Sequence, residues 1–154
     1  MILPHAFLAA APLSLVACES DLTLEDARPA VTWVEATPLD TTRTALSLWV
    51  KDAEGEAVDV AIVWSAGGAA GDLVLAPGSA PLLGLPTELG LGTAEGQLHR
   101  ITWDLTGVPD GALTLTLTVD DDPYEAPAGD TYTVVLDPRD AAGPVLATRV
   151  SLND

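Results

Sequence analysis

The stretch "DDDPYEAPAGD" places Asp120, Asp121, Asp122, Glu125 and Asp130 within eleven residues, five carboxylates on one connection. Such a group suits calcium, which takes roughly six to eight oxygen ligands, and a bound cation relieves the repulsion between neighbouring carboxylates. The spacing is not that of an EF-hand, and the bland alternative is an acidic loop that stays solvated. His99 is the only histidine after Cys18, so multi-histidine metal sites are excluded. At the start of a strand pattern it reads as a surface or packed side chain rather than a base. No G-x-S-x-G elbow, phosphate-cradling glycine loop or H-E-x-x-H motif occurs. The residues therefore predict a non-catalytic protein that requires no cofactor, with calcium as the one candidate ion.

The other reactive group is the thiol of Cys18, the single cysteine, at the end of "LVAC". Residues 1–17 contain no Asp, Glu, Lys or Arg, and every charged side chain lies beyond them. That uncharged run is shorter than the ~20 residues a membrane-spanning helix needs, and Pro4 and Pro12 interrupt it. Its length and position predict a secretory signal. Leu15-Val16-Ala17-Cys18 resembles the lipobox of bacterial lipoproteins, although the basic residues usual near the N-terminus are missing. The resemblance implies cleavage after Ala17, a diacylglycerol thioether on Cys18 and an acylated (palmitate-type) amine. Two lipid signals suffice for stable anchoring. The expected location is the cell envelope, and Glu19 after the cysteine points to the outer membrane if the host has two membranes.

Removing 17 residues from 154 leaves 137, the size of one domain. We expect a signal peptide over 1–17, a lipidated acidic tether over 18–30 and a single folded unit over 31–154. The net charge of −17 lies entirely on the mature part and argues against nucleic acid, whose phosphates need Lys and Arg clusters. It equally leaves membrane attachment to the lipid rather than to electrostatics. A hydrophobic content of 48 %, arranged in patterns, argues against disorder.

From Val31 the dominant period is two, the signature of strands. Leu113, Leu115, Leu117 and Val119 alternate with Thr114, Thr116, Thr118 and Asp120. Noisier alternation marks Val31 with Trp33, Leu46-Leu48-Val50, Val58-Val60-Ile62-Trp64, Ile101-Trp103-Leu105, Tyr132-Val134-Leu136 and Leu146-Val150-Leu152. No convincing amphipathic helix appears. Two connections carry turn chemistry. In "VKDAEGEAVDV", Gly55 can supply a positive φ. In "TGVPDGAL", Pro109 presets a type I turn and Gly111 takes the left-handed position, which predicts a hairpin between the flanking strands.

These two stretches resemble the strand connections of bacterial immunoglobulin-like, cadherin-like and fibronectin type III-like modules. The resemblance departs from the pattern where Ala112-Leu113 stands in place of the usual tyrosine, and the cysteine pair of antibody domains is absent. Together with the regular short strands it implies an all-β fold: one antiparallel sandwich of about seven or eight strands. Trp64 and Trp103 share the parity of their aliphatic neighbours and are expected in the core. Trp49 has the opposite parity, so its indole either meets a ligand or partner or lies under a loop. The segment 65–97 is long for a connection, and Asp72–Ala76 within it reads as a short extra strand. Its Leu82, Leu83, Leu85, Leu89 and Leu91 either cap one end of the sandwich or form an apolar patch for a partner. The expected function is a lipid-anchored binding, adhesion or scaffold module for an envelope protein or glycan. A calcium-binding module or an accessory subunit of an envelope complex is the alternative.

Overall fold

The computed structural model describes residues 29–52, 54–89, 96–121 and 130–150. Cys18, Asp122, Glu125 and Leu91 lie outside the described residues, as does the side chain of Leu89. Among the described residues eleven strands follow in order: β1 (Ala30–Pro38), β2 (Arg43–Asp52), β3 (Asp59–Ala66), β4 (Ala69–Asp72), β5 (Val74–Leu75), β6 (Glu88–Leu89), β7 (Gln97–Asp104), β8 (Leu113–Asp120), β9 (Asp130–Leu136), β10 (Val145–Leu146) and β11 (Thr148–Arg149). There is no helix among the described residues.

Strands β10-β1-β2-β7-β5 form one sheet in that order, with β6 parallel to the end of β2, and β11-β9-β8-β3-β4 form the other. Every remaining pair is antiparallel. One core joins Leu46, Leu48, Val50 and Trp103 of the first sheet to Ile62, Leu115, Leu117 and Val134 of the second. The fold is therefore a β-sandwich. The clean alternation of β8 survives intact: its Leu and Val side chains are buried, and its threonines stand half-exposed on the outer face. Each fully buried leucine contributes roughly 1.5–3 kcal/mol relative to exposure. Trp64 and Trp103 are buried as expected. Gly71 lies opposite Trp64 in the β3–β4 ladder, and an added Cβ there would come within 2.9 Å of the indole.

Three expectations need correction. Gly111 does adopt a positive φ of 92°, but no hairpin forms around it. β7 pairs with β2 and β5, whereas β8 pairs with β3 and β9, so the "TGVPDGAL" turn crosses between sheets. Leu105 and Val108 are buried along the crossing. Arg139 clamps it, donating from Nη1 to the Pro109 carbonyl and from Nη2 to those of Leu105 and Val108. The β2–β3 connection crosses in the same way, with Gly55 at φ 75°. There the buried Asp52 accepts the N–H groups of Glu54 and Glu56 on Oδ2.

The expected last strand through Leu146 and Val150 is instead two two-residue strands in different sheets, β10 and β11, joined at Ala147. Leu146 is 60 % exposed. The segment 65–97 likewise switches sheets, between β4 and β5, so a short strand does form near Asp72–Ala76 but is confined to Val74–Leu75. The third correction concerns Trp33. Val31 faces Val50 and Trp33 faces Trp49, so β1 spends one residue more than β2 over the same step, a bulge at Thr32. Val31 and Val34 both point into the core as a result, and Trp33 points out.

Candidate functional site: the outer face of the first sheet

On β2, Leu46, Leu48 and Val50 face the core, which turns Trp49 and Lys51 outward together with Ser47, itself buried between its neighbours. The bulge brings Trp33 to the same surface. The register then sets four large apolar side chains side by side across four strands. Leu146 is opposite Trp33, Trp33 opposite Trp49, and Trp49 opposite Leu98. Both indoles are half-buried, while Leu98 is 40 % exposed. The bulged Thr32 donates from Oγ1 to the Trp49 carbonyl at 3.3 Å, tying the two tryptophan strands together.

The next row across the sheet is Glu35–Ser47–Arg100. Lys51 lies on the other side of Trp49. The side chains of Arg100 and Lys51 take part in no ion pair or hydrogen bond among the described residues, although Glu88 is the register partner of Lys51. This contrasts with Arg43, which is paired to Asp40 at 2.7 Å, and Arg139, which is occupied by the crossover turn and Asp110. Where β1 begins, a groove of about 480 Å³ opens, lined by Trp33, Lys51, Tyr132, Leu146 and Arg149 among others. Arg149 holds Asp130 at 2.7 Å. Tyr132 donates its hydroxyl to the Pro29 carbonyl at 3.3 Å. Burial, and then the Asp130 carboxylate, push the Tyr132 phenol above its ordinary range, with Arg149 opposing them.

The outer face of the second sheet has a different character. Thr114, Thr116, Thr118, Thr131 and Thr133 dominate it, and its exposed valines, Val63 and Val135, stand opposite threonines. A threonine-rich outer face is what β-propensity alone produces. The tryptophan row is not.

The remaining candidates sit elsewhere. Asp120 closes β8 and Asp121 follows it, while Asp130 opens β9 opposite Val119 and is nearly buried. Among the described residues, no group of three or more His, Cys, Asp or Glu side chains is placed to hold a metal ion. His99 donates from Nε2 to the Pro86 carbonyl at 2.8 Å, since a carbonyl can only accept, and so fastens the segment at Pro86 to β7. Leu82 and Leu85 are buried in the core, as the capping alternative expects, whereas Leu83 is 66 % exposed. Among the described residues, three buried side-chain atoms lack a partner: Thr44 Oγ1, Trp103 Nε1 and Asp52 Oδ1. The first two face each other near the start of β2 and the third lies at its end, so they form no single site.

Parity alone marked Trp49 as outward. Trp33 was missed, and the available signal was "VTWV": two valines three apart on one strand can both be buried only if a residue between them is bulged. No family model matches the chain, and no curated protein or solved structure is significantly similar to it.

Proposed function

We propose that this chain is a lipid-anchored, non-catalytic binding module of the cell envelope, which engages its partner through the outer face of the first sheet. The observation that carries the reading is the Trp33–Trp49 pair, two large aromatic side chains placed side by side on a solvent-facing sheet. Aromatic residues supply large contact area at small entropic cost and concentrate binding energy. The anchor rests on Cys18 and the lipobox resemblance, with the outer membrane as its site in a diderm host. Intact-mass measurement of the membrane-extracted protein is expected to give a chain starting at Cys18 plus acyl mass, and Cys18→Ser to leave an unlipidated precursor. A photo-crosslinker at Leu98 is expected to capture a partner in intact cells, whereas the same group at Val135 on the opposite face captures none. Equal capture from both faces refutes the assignment.

A calcium-dependent form of the module is the second reading. It is favoured by the pairing of Val119 with Asp130, which sets Asp130 beside the Asp120–Asp121 end of β8. Asp122 and Glu125 complete the sequence-based ligand set. Binding to the folded state alone raises stability by about 2.7 kcal/mol at a hundredfold excess over Kd. Millimolar calcium is then expected to raise the melting midpoint by several degrees over chelator, and more than magnesium or matched sodium chloride does. Identical melting curves remove calcium from the account.

A further inference from the structure

We propose that the tryptophan row is the contact surface of a homodimer, two copies of this chain packed face to face through their first sheets. This rests on the reading of that outer face as a binding surface and names what it binds. The distribution of charge carries the inference. Lys51, Arg100 and Arg43 stand at outward positions of the face and are three of the chain's six basic residues. Glu35, Glu88 and Asp104 share it by register and are three of the 23 acidic ones. Equal numbers leave the face balanced on a chain whose net charge is −17. Two such chains repel one another across most of their surfaces, and here they can meet without like charges in excess.

The order of those charges selects a second copy. On one side of the tryptophan row the register reads Ala30–Lys51–Glu88, and on the other Glu35–Ser47–Arg100. A half-turn about the row lays the first line of one copy over the second line of the other. Glu88 then meets Arg100, while Lys51 meets Ser47 one strand away from Glu35. Each contact occurs twice, as an isologous interface requires. The same operation sets Trp33 on Trp33 and Trp49 on Trp49, with Leu146 and Leu98 at the two ends. A half-turn about β2 would instead oppose Lys51 to Lys51 and Arg43 to Arg43. Among the described residues, neither the Lys51 nor the Arg100 side chain makes an ion pair within its own copy. Four strands ~4.8 Å apart and three rows ~6.7 Å apart give a footprint on the order of 400 Å² per copy. A standard interface buries ~800 Å² on each side, so the pair is weak and reversible. Aromatic anchors concentrate its binding energy at the centre, and anchoring on one membrane raises the effective concentration of the copies.

The test is thiol crosslinking of the full-length chain in intact cells. Leu98→Cys puts a thiol on the face, and a short bis-maleimide bridges the ~10 Å between packed sheets. The unsubstituted chain reports any contribution from Cys18, the only other cysteine. A species of twice the chain's mass is expected from Leu98→Cys, about tenfold more than from Val135→Cys on the second sheet. In the Leu98→Cys background, Trp33→Ala and Trp49→Ala are each expected to cut the yield about tenfold, the scale of one aromatic contact. Arg100→Glu is expected to cut it severalfold, and adding Glu88→Arg to restore it, because the swap exchanges the two ends of each pair. Melting curves of the purified variants check that the fold persists. No dimer, equal yield from both faces, undiminished yield from folded Trp49→Ala, or a charge swap that restores nothing overturns the proposal. If no dimer forms while a photo-crosslinker at Leu98 captures a different protein, the homodimer falls and the binding face stands. If neither dimer nor capture is found, both fall.

Discussion

Gly96 is the most informative single position for testing this architecture. It precedes β7 with φ at 90°, a backbone conformation that side chains with a Cβ rarely adopt. Placing a non-glycine residue there costs roughly 1–2 kcal/mol in strain alone. The site is also occupied: a Cβ on Gly96 would lie 2.6 Å from the Val50 carbonyl oxygen and 2.7 Å from its carbon. These are backbone atoms of β2, fully inside the ladder, and cannot swing away as a side-chain end would. The sheet must shift, which adds roughly 1–3 kcal/mol. Gly96→Ala is therefore expected to destabilise the fold by about 2–5 kcal/mol. Gly111 is the matched control. Its φ is 92°, but an added Cβ there meets nothing within 4 Å, so Gly111→Ala is expected to show the strain without the clash, about 1–2 kcal/mol. Reading the loop as loose connection predicts the reverse order. Urea denaturation of both variants, at unchanged slope, measures the difference. A Gly96→Ala midpoint at or above that of Gly111→Ala would refute the close approach of this segment to β2.

Arg139 is expected to matter through its three carbonyl partners on the β7–β8 crossing: Arg139→Ala should cost about 2–3 kcal/mol by urea denaturation, within the range for hydrogen bonds to a charged group. Arg139→Lys should recover little, because an ammonium cannot reproduce the forked geometry, and full recovery would show that only the charge is used. Asp40 accepts the Thr42 N–H and the Arg43 side chain, which together hold its carboxyl at about 2. Because the folded value lies below the unfolded one, its contribution to stability is present above the ordinary carboxylate range and is lost as pH falls from ~4 towards 2. Carboxyl NMR should place the Asp40 midpoint at about 2, and Arg43→Ala should raise it only part of the way, since the Thr42 amide is the larger cause. A wild-type midpoint in the ordinary range contradicts the turn geometry.

The candidate site divides along a clear line. That Trp49 faces outward was legible, because Leu48 and Val50 on either side are aliphatic and a strand alternates. That a second indole stands beside it was not. Trp33 reads as inward if β1 alternates strictly from Val31, and the inserted Thr32 reverses that parity, with the spacing of Val31 and Val34 as its one trace in the sequence. Likewise, Leu82, Leu83 and Leu85 look alike in sequence. Only the bridge between Val58 and Leu85, and the bond from the Val60 N–H to the Leu82 carbonyl, turn two of them into the core and leave the third outside.

By itself the sequence determined the long central strands, such as β2, β3, β7, β8 and β9, and which of their faces is apolar, because both follow from local alternation and from the cost of exposing Leu, Ile and Val to water. It also determined where the chain must bend, at Gly55 and Gly111, because only glycine adopts those angles without strain. Which strands pair was decided by the tertiary structure alone. A turn signal reports a reversal of the chain, and the same reversal serves a hairpin within one sheet or a step across to the other. The choice is made by partners far away in sequence: β2 and β5 claim β7, β3 and β9 claim β8, and Arg139 closes the gap between them. The tryptophan row exists only as a consequence of that pairing, since its four residues come from four strands and become neighbours only when the register is set.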